Sequence, residues 1–173
     1  MSNPDQKIVT LNDLVEKKIP RPIGLCWGGF DFLHAGHLLH FDFARNMCQT
    51  LIVGINADDA FPKKGNNRPV FPERQRAHLL ALIEIVDYVT IYHGPYTEPE
   101  ASIGIIHGKV QSTPFFPLDV IRLLHPDFYF KGIEYEGKVI PEKEIVERNG
   151  GEVVYGPREP VFSSSQILKE FRM

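Results

Sequence analysis

Thiols, tryptophan and net charge are all scarce in this chain of 173 residues, which carries two cysteines, one tryptophan and a formal charge of −3. Cys26 and Cys48 are too few for a disulfide framework, and they read as incidental thiols of a reducing, cytoplasmic setting. A charge so near zero excludes a broad basic surface for nucleic acid, so any positive site must be local. Long apolar runs are missing as well. No segment approaches the roughly 20 residues that cross a bilayer. The polar stretch from Met1 to Lys7 lacks the layout of a signal peptide. Neither a membrane nor a nucleic acid is expected as a partner.

What is present suits one ordinary globular domain, with 43% hydrophobic and 24% charged residues. Apolar runs predict strands over 23–27, 50–56, 86–92, 128–131 and 152–155. The second is nearly continuous in apolar residues, as a strand covered on both faces is. Helical periodicity predicts helices over 38–47, 73–84, 118–124 and 141–148. The last of these begins with proline and stops at Asn149-Gly150-Gly151. A short helix over 11–17 is expected in an N-terminal segment, 1–22, ahead of the domain proper at 23–173. Ser163 to Ser165 suit the cap of a terminal helix over 166–171. Residues 57–72, and the stretch from His93 to the helix at Leu118, read as long loops. The alternation predicts a Rossmann-like, three-layer α/β/α domain with a mainly parallel sheet, whose ligands lie at the carboxyl ends of the strands.

The run Gly28-Gly29-Phe30-Asp31-Phe32-Leu33-His34-Ala35-Gly36-His37 follows the first predicted strand and opens a helix. Histidines three apart share nearly one face there, and glycine lets the backbone approach a ligand. A helix N-terminus adds unpaired N–H groups and positive potential, so the pattern proposes an anion site. Positive groups recur at three further places: Lys63-Lys64, Arg74 with Arg76, and Arg158 with Ser163-Ser164-Ser165. Arginine near a helix start opposes the macrodipole, which calls for an anionic partner close by. His34, His37 and His40 also recur every three residues, but no further ligands at zinc spacing accompany them.

The run contains GxFDxxHxGH without a gap, and it resembles the HxGH signature of the nucleotidyltransferase superfamily, which includes cytidylyltransferases and heptose-phosphate adenylyltransferases. The likeness extends from about Ile23 to Phe171. Arg68-Pro69-Val70 with Gln75-Arg76 is similar to the RPVxPxxQR segment of the heptose-phosphate branch, and Lys131-Gly132 with Tyr135 to its VKGxDY. Asn149 to Val153 match its NGGEV, and Phe162 to Ile167 resemble an ISTTxI element shared with glycerol-phosphate cytidylyltransferases. Glu134 stands where that family has aspartate.

The resemblance implies that His34 and His37 contact the nucleotide phosphates and stabilise the transition state. It assigns Lys63 or Lys64 to the α-phosphate and the incoming phosphate, and Arg158 with Ser164 to the β- and γ-phosphates. Gly28, Gly29, Phe30, Asp31, Gly36, Arg76, Lys131, Gly132, Glu134, Ser163 and Ser165 complete the expected nucleotide site. Magnesium is expected to arrive with the triphosphate, without assigned protein ligands, and a homodimer is expected. The implied reaction joins a nucleoside monophosphate to a phosphorylated small molecule and releases pyrophosphate. Adenylyl transfer to a sugar 1-phosphate leads. A cytidylyltransferase acting on glycerol phosphate or another polyol phosphate is the alternative, and a non-catalytic nucleotide-binding module is the reading from another class.

Overall fold

A computed structural model describes residues 3–60, 69–94, 103–106, 109–112 and 117–157. In chain order these form α1 (Leu11–Glu16), β1 (Ile23–Gly28), α2 (Ala35–Arg45), β2 (Thr50–Asn56), α3 (Glu73–Ala81) and β3 (Tyr88–Tyr92). Then come β4 (Ile103–Ile106), β5 (Lys109–Ser112), α4 (Leu118–Leu124), β6 (Phe128–Lys131), α5 (Pro141–Arg148) and β7 (Glu152–Tyr155).

Five strands make one parallel sheet in the order β3-β2-β1-β6-β7. All seven residues of β2 are buried, as its unbroken apolar run requires of a strand covered on both faces. Side chains alternate across the sheet. Cys26, Leu51, Val53, Ile55 and Phe130 pack with Phe41 and Ala44 of α2 and with Ala77 and Leu80 of α3. Ile23, Leu25, Ile52 and Tyr129 face the other way, against Leu14 of α1, Val120 and Ile121 of α4, and Val146 of α5. The three-layer α/β/α architecture expected from the alternation is therefore present. Strand order reverses between β1 and β6, so their carboxyl ends border the crevice where such sheets bind ligands.

Two expectations need correction. The stretch after His93 contains an antiparallel hairpin of β4 and β5, not only loop. Several ends also shift: α2 begins at Ala35, α3 stops at Ala81 and β3 starts at Tyr88. The N-terminal segment packs on the sheet and carries the short helix expected there. Thr10 and Asp13 close a capping box on α1, and Leu14 is core. Ile8 bridges to Val89 in parallel, and Val9 N–H donates to the Val89 carbonyl. The Lys7 ammonium donates to the carbonyls of Ile83 and Val86 at 3.1 and 2.6 Å, just past the end of α3. The terminal helix expected over 166–171 lies outside the described residues.

Candidate active site

β1 ends at Gly28, and the chain turns through Gly29 into Phe30, whose φ of 47° lies in the left-handed region. A bulky residue there is a genuine outlier, and such strain persists only where surrounding structure over-determines it. That surrounding is aromatic. The Phe30 ring meets His37 edge-on at 5.1 Å and Phe41 at 5.4 Å between centroids. The turn thus places a ring beneath the second signature histidine.

His34 is the N-cap of α2 and makes no capping bond with its side chain. Gly36 lies in the first turn, and His37 stacks on His34 with centroids 3.7 Å apart. Nδ1 of each imidazole is hidden from solvent and has no hydrogen-bond partner among the described residues. Burial pushes both pKa values down, that of His37 to about 3, with His34 and His40 adding like-charge repulsion. Both rings are therefore neutral at physiological pH, and each keeps one N–H to donate. In the first turn of α2 the His37 N–H is taken by the His34 carbonyl at 2.9 Å, and the Ala35 and Gly36 N–H groups precede any intrahelical acceptor. Two neutral donors beside a helix N-terminus favour an anion placed at their shared edge.

Arg76 acts on the site through the backbone. Its side chain is fully buried, and its guanidinium donates to the carbonyls of Phe71, Gly29 and Asn56 at 3.0, 2.6 and 2.9 Å. It also pairs with Asp58 Oδ1 at 2.7 Å, the anion that its place near a helix start called for. Asp58 and Glu73 each accept from the other's backbone N–H, at 3.1 and 2.8 Å. Asp31, 3% exposed, accepts from Val70 N–H and Phe71 N–H through Oδ1. The ends of β1 and β2 and the start of α3 are thereby tied together. Arg74, named with Arg76 as a positive group, sits elsewhere, lining a surface recess with Asp5 and His78.

Across the switch point, β6 ends in Lys131, and Gly132 follows it at the head of a short 3-10 turn. The Lys131 ammonium pairs with Glu142 Oε1 at 3.1 Å, and the Tyr129 hydroxyl donates to the same oxygen at 3.0 Å. Burial and the Glu142 charge push the Tyr129 hydroxyl far up, so it stays a neutral donor. Gly132 leaves room for the Glu134 carboxylate, since a Cβ there would lie 2.1 Å from it. His40, on the next turn of α2 after His37, lies edge-on to Phe130 and feels the charges of Glu134 and Lys131. Burial pushes its pKa down, against the pull of Glu134. On the opposite face of the sheet, the Trp27 indole donates to Asn56 at 2.7 Å and lies over Gly54, where a Cβ would clash. Tyr92 stands edge-on to Trp27 and donates to Asp119.

The structure therefore gathers Gly28, Gly29, Phe30, Asp31, His34, Gly36, His37 and Arg76 around the end of β1, with Lys131 at the end of β6 and Gly132 and Glu134 just after it. Lys63, Lys64, Arg158, Ser163, Ser164 and Ser165 lie outside the described residues. Glu142, Tyr129 and Asp58 are absent from the expected set. An acidic residue behind a helix-starting proline looks like ordinary dipole compensation, so sequence carries little signal for Glu142. No group of three or more His, Cys, Asp or Glu able to hold a metal occurs among the described residues, and no described helix is long and apolar enough to cross a membrane.

The cytidylyltransferase-like family model matches residues 25–170. A D-beta-D-heptose 1-phosphate adenylyltransferase from Bordetella bronchiseptica is 31% identical over 174 residues, covering 97% of this chain and 95% of the relative. A bifunctional protein HldE from Rhodopseudomonas palustris is 35% identical over 151 residues, covering 87% of this chain but 27% of that longer relative. Among solved structures, a lipopolysaccharide core biosynthesis protein from Thermoplasma volcanium superimposes with a TM-score of 0.56 at 19% identity, covering 79% of this chain and 97% of its own. A pantoate-beta-alanine ligase from Francisella tularensis gives a TM-score of 0.58 at 17% identity, with 88% and 68% covered. These two likenesses speak for the fold alone.

Proposed function

Because this chain belongs to the cytidylyltransferase-like family and is a nucleotidyltransferase, we propose that it moves an adenylyl group from ATP to a sugar 1-phosphate of the heptose type. A phosphate oxygen of the acceptor attacks the α-phosphorus, the bond from that phosphorus to the bridging oxygen breaks, and pyrophosphate leaves. One observation carries the reading: a stacked, neutral histidine pair with hidden nitrogens, at the start of α2 and the end of β1.

Phosphoryl chemistry asks a protein mainly for positioning and for donors aimed at developing negative charge. His34 and His37 donate to phosphate oxygens, and the first amides of α2 add to them. Phe30 holds the His37 ring from below, and Arg76 fixes the Gly29 carbonyl in the turn that carries both. Lys63 or Lys64 is proposed for the α-phosphate, and Arg158 with Ser164 for the pyrophosphate end, with Ser163 and Ser165 beside them. Magnesium is proposed to enter with the triphosphate substrate, as oxygen-bound Mg²⁺ commonly does. The adenine and heptose assignments rest on similarity to the adenylyltransferase relative over nearly its whole length.

The test is pyrophosphate release from each of four nucleoside triphosphates against a panel of phosphorylated acceptors. ATP with a heptose 1-phosphate is expected to give the highest kcat/KM. Preference for CTP with glycerol phosphate would overturn the substrate assignment. ATP binding without pyrophosphate release from any acceptor would mark a binding module instead.

A further inference from the structure

We infer that Glu142 is the positioning residue for Lys131, and that together they fix one ammonium donor to the nucleotide at the end of β6. The inference rests on the proposed function, where Lys131 is already expected at the nucleotide, and adds Glu142 as the residue that holds it.

Burial sets the problem. Glu142 is 1% exposed and the Lys131 side chain 11%. Withdrawing two charges from water is costly, and apolar side chains of similar volume commonly serve stability as well or better. A buried pair is thus weak evidence for stability, and its geometry has to be judged by what it holds in place. Here the geometry is specific. Lys131 and Tyr129 converge on the same oxygen of Glu142, while Oε2 has no hydrogen-bond partner among the described residues. The ammonium lies 4.4 Å from the centre of the Tyr135 ring and 5.4 Å from that of Tyr129. A carboxylate on one side and a ring on another leave this flexible stem little rotational freedom.

The backbone is pinned as well. The Lys131 carbonyl accepts from Gly156 N–H at 2.9 Å, and a Cβ on Gly156 would lie 2.7 Å from His40 Nδ1. The ammonium is close enough to the histidine row for its charge to act on His40, whose charge acts on His37. An ammonium carries three donors, and one goes to Glu142. The crevice side of the switch point is where the others meet a ligand, and a nucleotide supplies oxygens and ring nitrogens to accept them.

A double-mutant cycle read by calorimetric titration with ATP tests this. Lys131→Met is expected to weaken ATP binding about tenfold, the size of one charge-assisted hydrogen bond. Glu142→Gln keeps the shape and is expected to weaken it about threefold to tenfold. With Lys131 already methionine, removing Glu142 is expected to change the Kd less than about twofold, because Glu142 acts only through the ammonium. Where Glu142→Gln alone does not fold, Glu142→Met in the Lys131→Met background buries no unpaired charge and serves the same arm. Equal losses with and without Lys131 would overturn the positioning role, and so would unchanged binding in Lys131→Met. Failure of the wild-type chain to bind ATP would instead count against the proposed function.

Discussion

Two clusters meet at the carboxyl end of β1, and they are built on opposite rules. Around Arg76, a fully buried cation donates to three carbonyls and a carboxylate, and that carboxylate and Glu73 hold each other's backbone. Around His34 and His37, polar nitrogens are hidden without a partner among the described residues, the rings are forced neutral, and Phe30 sits in a strained conformation. The first arrangement satisfies what it buries, as a structural element must. The second leaves donors waiting in a preorganised position, as a site for developing charge must. A charged residue near a phosphate site is thus not thereby a phosphate ligand, and the hydrogen-bond inventory separates the two cases.

The contrast can be broken most directly at the histidines. His34→Ala or His37→Ala is expected to lower kcat about a hundredfold to a thousandfold while the fold survives, because neither ring's hidden nitrogen takes part in holding it. Steady-state kinetics with thermal melts on the same preparations reads both. Near-normal turnover in both variants would remove the histidines from the mechanism.

Arg76→Met should show the reverse priority. Keeping the volume while stripping three carbonyls and Asp58 of their donor is expected to cost about 3 kcal/mol, roughly 6–12 °C in Tm for a chain of this size. Turnover falls with it, but the ATP affinity of the molecules that remain folded changes little. An unchanged Tm with ATP binding abolished would place Arg76 on the phosphates and collapse the distinction.

The last effect emerges only in acid. The folded-state pKa of His37 is about 3 against 6.5 ordinarily, so below pH 6.5 the unfolded chain takes up a proton that the folded chain refuses. Its contribution is full above pH 6.5 and is lost progressively as pH falls toward about 3. Wild-type Tm is expected to decline over that window, with a shallower slope in His37→Asn. Denaturation monitored from pH 7 to pH 4 gives the comparison, and parallel slopes would mean that His37 is not held neutral.

Much of this was legible in residues. The apolar runs around Leu25 and Val53 could be satisfied only inside a covered parallel sheet, and the signature after β1 fell where such sheets bind ligands. The hairpin of β4 and β5 was not, because four-residue strands containing glycine and lysine hardly differ from loop in pattern. Arg76 and Glu142 show a deeper limit. Periodicity tells that a helix has an inward face, but whether a charge on it meets ligand or protein depends on carbonyls brought in from β1, β2 or β6. That is long-range information, and a local window does not contain it. It is why Arg76 reads from sequence as part of an anion site and why Glu142 carries no signal there.

The N-terminal strap has a consequence of another kind. β3 borders the sheet, and a border strand offers unpaired amides and carbonyls to any passing strand. Ile8 and Val9 lie along it, and Lys7 clasps the carbonyls just before it. Residues 7–9 therefore cover part of that border, and a chain without them is expected to show more concentration-dependent aggregation through β3.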